Sequence, residues 1–236
     1  MFNNSKYGNV LTVILVVAII AIIGIVILIG YRIYKTYSNN KGAAAAVAQF
    51  ETAVGTSDAN TTGNNAVGNG TAGSIGGVDG TTASATGDDD ASYAEKIAHA
   101  KKTKYKGFNV VGVIEIPKIN LKYPILEKVT KKSLETSVAF LYGPGLNRVG
   151  NNVIIGHNYR NGTMFSNVKK LTKGNAIYIT DLTGSKRKYI VYNIYRTSGD
   201  DASYMTRNTN GKREISLSTC TDDSKARTIV WAREAN

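Results

Sequence analysis

The chain has a single cysteine, Cys220, among 236 residues. An intrachain disulfide is therefore excluded, and the fold must rest on its own packed core. Histidine is nearly as scarce, with only His99 and His157. Charge is missing altogether from Tyr7 to Tyr31, and neither aromatics nor leucine occur between Phe50 and Tyr93. No nucleic-acid-binding motif accompanies the formal net charge of +12. The carboxylates Asp200, Asp201 and Glu127 are too few and too scattered for a calcium site, so no metal and no cofactor are expected.

The uncharged stretch is the first positive signal. Val10 to Ile29 is almost wholly Val, Ile, Leu and Ala. Twenty such residues at about 1.5 Å rise reach roughly 30 Å, the thickness of a bilayer's hydrocarbon core. A secretory signal peptide has a shorter apolar run and a small-residue cleavage site. Here Tyr31-Arg32-Ile33-Tyr34-Lys35 follows instead. The expectation is a retained transmembrane anchor over 8–31, then a juxtamembrane segment over 32–54. Lys6 precedes the span, whereas Arg32, Lys35 and Lys41 follow it. That local count favours a cytoplasmic C-terminal part, although the rule weakens when a long domain follows.

Ala43 to Phe50 can prolong the helix briefly. From 55 to 90 the chain is Gly, Thr, Asn, Ala, Ser and Asp, which cannot bury enough apolar area to offset its ordering entropy. It reads as a flexible tether. Asp88, Asp89 and Asp90 then offer N-caps for a short helix from Tyr93 to about Lys102. Residues 91–236 form the expected folded domain. Strand-like runs cover 110–116, 123–126, 152–155, 176–180, 188–195, 214–219 and 227–233, each rich in Val, Ile, Tyr or Thr and bounded by turn formers. Met164 to Leu171 has the spacing of one short helix. Many short strands without βα alternation predict a mainly β fold, a closed or nearly closed barrel. From Ala91 onward 25 Lys and Arg face 11 Asp and Glu. With an anchor in the same chain, that excess suits an anionic surface near the membrane better than DNA.

Two of the scarce residues stand at strand ends. His157 follows Val153-Ile154-Ile155-Gly156, and Cys220 closes Ile215-Ser216-Leu217-Ser218-Thr219 before a polar Thr-Asp-Asp-Ser turn. Such positions are held by a scaffold yet face the rim where substrate arrives. Arg227 opens the next strand seven residues later, and antiparallel pairing would return it to the thiol. A thiolate nucleophile, an imidazole to handle the leaving amine's proton and a guanidinium to steady an oxyanion are the parts of acyl-transfer chemistry. Singly, each has a plainer reading: a core cysteine, a hydrogen-bonded strand end, and a charge paired with Asp222 or Asp223. His99, in Ile-Ala-His-Ala, reads as a surface residue of the short helix.

Together the motifs resemble the sortase family. Ile-Ser-Leu-Ser-Thr-Cys-Thr at 215–221 is similar to the sortase cysteine strand, Asn152 to Asn158 to its histidine strand, and Val111 to Ile119 to its opening strand pair. The resemblance covers about 108–236. It implies an eight-stranded barrel and a cysteine transpeptidase with Cys220, His157 and Arg227 catalytic. Thr219, Ser218 and Asn158 would contact substrate. It further implies cleavage of a C-terminal Leu-Pro-x-Thr-Gly-like sorting signal through a thioacyl intermediate. The acyl group passes to an amine of a peptidoglycan precursor or a pilin, outside a Gram-positive-type membrane. The sequence around His157 and Cys220 is similar to class B sortases, but the 62 residues between them leave little room for that class's long helical insertion, which points to class A or D spacing. Two other readings stay open: a membrane-anchored cysteine hydrolase with the same triad, and a non-enzymatic envelope-binding barrel.

Overall fold

The computed structural model describes residues 4–55 and 88–235, so nearly all of the expected tether over 55–90 lies outside the described residues. Helix α1, Asn4–Val54, is continuous. Among the described residues it is the one helix long and apolar enough to cross a membrane. Its Val, Ile and Leu side chains from Val10 to Ile29 are all exposed. An unbroken apolar surface of that extent is unusual for a face in contact with water. A second helix, α2, covers Asp88–His99 and starts at the Asp run.

The remainder is mainly β. Its strands are β1 (Thr103–Tyr105), β2 (Phe108–Ile116), β3 (Leu121–Leu126), β4 (Val138–Tyr142), β5 (Gly150–Ile155), β6 (Ala176–Asp181), β7 (Lys186–Ser198), β8 (Arg213–Cys220) and β9 (Ala226–Glu234). They pair in the order β1-β2-β3-β4-β5-β8-β9-β7-β6, and a further β2–β6 pairing closes the ring. β1 is a three-residue appendage to β2, so β2 to β9 make a closed eight-stranded barrel. Closure removes unpaired sheet edges, which suits a chain without a disulfide.

Inward side chains such as Ile114, Ile154, Ile177, Leu217 and Val230 share one core with Phe165. Every second residue of β8, Ile215 and Leu217, enters it. Ser216 and Ser218, on the opposite face, are buried as well.

A second core lies outside the barrel. Ala43, Ala46, Val47 and Phe50 of α1 pack on Tyr105, Val110, Val113 and Leu126. Phe50 is fully buried. The 32–54 segment is thus partly a wall element of the barrel, because its i, i+3, i+4, i+7 apolar spacing forms a stripe that covers β1 to β3.

Strand expectations hold to within two or three residues. β1, β4 and a short helix α3, Lys131–Thr136, went unread, since all three are short and weakly patterned. The helix expected over Met164 to Leu171 contracts to a 3-10 turn at Val168–Lys170. Met164 has a left-handed φ of 47°, which stops a helix there, while Phe165 and Val168 still anchor the segment in the core.

Candidate active site

Cys220 is the last residue of β8 and is partly exposed. A tight turn follows in which Thr221 accepts from Ala226 N through its hydroxyl at 3.1 Å and donates its own N–H to Ala226 O at 2.9 Å. The chain therefore reverses at once, and Arg227 on β9 lies directly opposite Cys220. Directly paired residues of an antiparallel sheet project to the same face.

On its other side β8 runs parallel to β5, pairing Gly150 with Arg213 and Ile155 with Ser218. The ladder continues through Gly156 N to Ser218 O at 3.2 Å. His157 follows directly, as Cys220 follows Ser218 and Thr219 on β8. Gly156 is required by close approach: a Cβ there would fall 2.8 Å from Val138 Cγ1 and 2.9 Å from the Phe165 ring. Thr219 tightens the join by donating its hydroxyl to Gly156 O at 2.8 Å. Cys220 and Arg227 thus face each other across β8 and β9, and His157 lies two residues past the end of the neighbouring β5.

Asn158 Nδ2 donates to Cys220 O at 3.0 Å and to Asp222 Oδ1 at 2.9 Å. Asn158, Thr219 and Cys220 line a cleft of about 270 Å³ together with Phe165, Lys169, Asp222 and Thr228. Hydrogen bonds from Lys169 and Asn158 hold the Asp222 carboxyl below the usual carboxylate range. The Thr221 hydroxyl and the Lys225 N–H do the same for Asp223. Neither acid is bonded to Arg227, whose Nε donates to Gly199 O at 3.0 Å. The plainer reading of Arg227 as a charge paired with these acids is therefore not what the structure contains. His99 is exposed in the last turn of α2. Among the described residues no group of three or more His, Cys, Asp and Glu is arranged to hold a metal ion.

A family model described as "Sortase domain" matches residues 114–235, more than half of the chain. This chain belongs to the sortase family. Sortase A of Bacillus anthracis is 32% identical to it over 124 residues, 51% of this chain and 58% of that protein, so the match spans less than two thirds of that relative. A Clostridium perfringens sortase D5 transpeptidase structure superimposes with a TM-score of 0.52 at 28% identity, covering 62% of this chain and 89% of that one. Sortase A from Corynebacterium diphtheriae gives 0.51 at 27%, covering 66% and 73%.

This sortase also carries a polar cluster that sequence reading missed. Glu214, 1% exposed, accepts from Tyr192, Arg207 and Arg233. Burial pushes its carboxyl up, but those three donors outweigh burial and leave it below the usual range. Arg207 also reaches Asn151 Oδ1 at 3.1 Å and lies over the Trp231 ring. Asn151 Nδ2 in turn holds the carbonyls of Tyr204 and Met205. The segment between β7 and β8 is thereby clamped over the outer face of β5, β8 and β9, where Tyr204 packs on Val153 and Ile229. It contains no helix, so the class B type of insertion is not found there. The partners of this cluster come from β5, β7, β8, β9 and a loop, a combination that no local pattern signals.

Beneath Cys220 on that face, the Ser218 hydroxyl is fully buried and has no hydrogen-bond partner; the Trp231 indole N–H is likewise unpartnered.

Proposed function

We propose that this sortase is a membrane-anchored transpeptidase that cuts a C-terminal sorting signal of the Leu-Pro-x-Thr-Gly kind and joins the protein to an amine. The observation that carries this reading is the direct pairing of Cys220 with Arg227 across β8 and β9, with His157 just past the end of the neighbouring β5. The Cys220 thiolate attacks the carbonyl carbon of the threonine in the signal's Thr-Gly bond. Arg227, its guanidinium steadied by Gly199 O, stabilises the oxyanion. The C–N bond then breaks, the leaving glycine amine takes its proton from the His157 imidazolium, and a thioacyl ester remains on Cys220. An incoming amine attacks that ester and yields its proton to His157. The C–S bond breaks and the thiolate is restored.

Thr219 and Asn158 line the cleft beside Cys220, whereas Ser218, expected to contact substrate, is fully buried behind it and lies outside the lining. The acceptor is the amine of a peptidoglycan precursor or a pilin. α1 supplies the anchor, and the barrel works on the extracytoplasmic side, because sorting signals and wall amines are found there.

The test is a sorting peptide incubated with and without an added amine. Amide product that forms only with the amine supports transpeptidation, whereas hydrolysis unaffected by the amine points to a hydrolase. Cys220→Ala should abolish cleavage at little cost in stability, since the thiol sits at the rim. Retained turnover in that variant would refute the assignment.

A further inference from the structure

We propose that the rim carrying Cys220 and His157 faces the membrane, with Arg160, Lys170 and Lys225 seated on anionic lipid headgroups. This rests on the reading of α1 as a membrane anchor. Its physical basis is the path of that helix along the barrel.

At Thr36, α1 meets the loop that follows His157, with Asn161 Nδ2 3.5 Å from Thr36 Oγ1. One turn on, Asn40 accepts from the Tyr123 hydroxyl at 2.7 Å. At its end, α1 abuts the β6–β7 turn, where a Cβ on Gly184 would come within 2.6 Å of Val54 O. That turn is at the opposite end of the barrel. β7 and β9 pair Ser198 with Ala226 at the active-site end, and Tyr189 with Glu234 at the other. Thr36 to Val54 spans about 27 Å of helix. Ala226 to Glu234 spans about 26 Å of strand. The helix therefore climbs the full height of the barrel, starting from the active-site end.

The uncharged span ends at Tyr31, and α1 is unbroken between there and Thr36. Five residues raise the chain only about 8 Å. A headgroup layer is itself roughly 5–8 Å thick. The loop after His157 consequently stands at the outer edge of the headgroups.

The side chains there suit an anionic surface. Arg160 is exposed and donates to Ser224 Oγ at 2.9 Å, which joins the His157 loop to the turn after Cys220. Lys169, Lys170 and Lys225 are exposed beside it. Asp222 and Asp223 in this cluster are engaged by Lys169 and by the Thr221 hydroxyl, and Glu135 stands near Tyr159 of the His157 loop. A cleft held at this height meets substrates that are themselves tethered to the membrane.

The only thiol in the chain supplies the probe. The full-length protein, labelled at Cys220 with an environment-independent fluorophore, is inserted into vesicles containing phosphatidylglycerol and a headgroup-bound quencher. A second sample carries Cys220→Ala with Lys212→Cys, placing the dye at the far end of the barrel. Co-flotation with vesicles checks the anchor separately, and its absence would overturn both readings. With flotation intact, quenching should be strong at Cys220 and lost at position 212. It should weaken in phosphatidylcholine, at about 1 M salt, where the screening length falls to about 3 Å, and in the triple variant Arg160→Gln, Lys170→Gln, Lys225→Gln. Equal quenching at both positions would overturn the orientation. Quenching at Cys220 that ignores lipid charge, salt and the triple variant would overturn the headgroup contact.

Discussion

Asn158 Nδ2 holds the backbone carbonyl of Cys220 at 3.0 Å, so the residue after the histidine is fastened to the strand that ends in the thiol. The same amide reaches Asp222. One side chain thereby sets the spacing between β5 and the turn after β8.

Asn158→Ala should consequently misplace His157 relative to Cys220 without unfolding the barrel. A displacement of about 1 Å at reacting groups can cost on the order of 10²-fold in rate. The expected result is a fall in kcat of that order with a Tm within a few degrees of the parent. A variant with parental kcat would show that the ladder through Gly156 is sufficient by itself.

Arg227→Lys should lower kcat/KM by about 10²–10³-fold. Arginine's planar fork can donate to Gly199 O through Nε and still present its terminal nitrogens, whereas an ammonium is a single flexible point. Steady-state kinetics on a sorting peptide would check this. Comparable turnover in the two proteins would assign Arg227 to structure alone.

Phe50→Ala should destabilise the barrel by about 3–5 kcal/mol, the usual cost of emptying a buried phenylalanine site. A fragment beginning at Ala91 should unfold at lower urea than the same domain joined to residues 42–55. It exposes the faces of Val110, Val113 and Leu126 that α1 covers. Equal urea midpoints would mean that the α1 packing adds nothing to stability.

Glu214 should make stability acid-sensitive. Its folded-state pKa lies below the ordinary value, so its contribution is complete above the unfolded carboxylate pKa of about 4.3. That contribution is lost as pH falls through the lower folded value. Denaturation midpoints of the parent should therefore drop below about pH 4, and Glu214→Gln should show a flatter dependence there. Identical pH profiles would refute a role for the Glu214 cluster.

The sequence by itself determined the apolar span, the strand content and the motifs at Cys220, His157 and Arg227. Strand periodicity and turn formers are local signals, and Val153 to Asn158 and Ile215 to Thr221 carry them openly. Pairing was not legible. That β8 lies between β5 and β9, with Cys220 opposite Arg227 and Gly156 packed against Phe165, depends on contacts between distant segments. The same holds for Glu214, whose three donors lie on β7, β9 and a loop. It holds also for Phe50, which read as part of a helix extension until the barrel supplied a face for it. Local sequence sets which way each side chain points along its own strand or helix. Only the closed barrel decides what it meets there, because burial is a property of the neighbours that the fold brings.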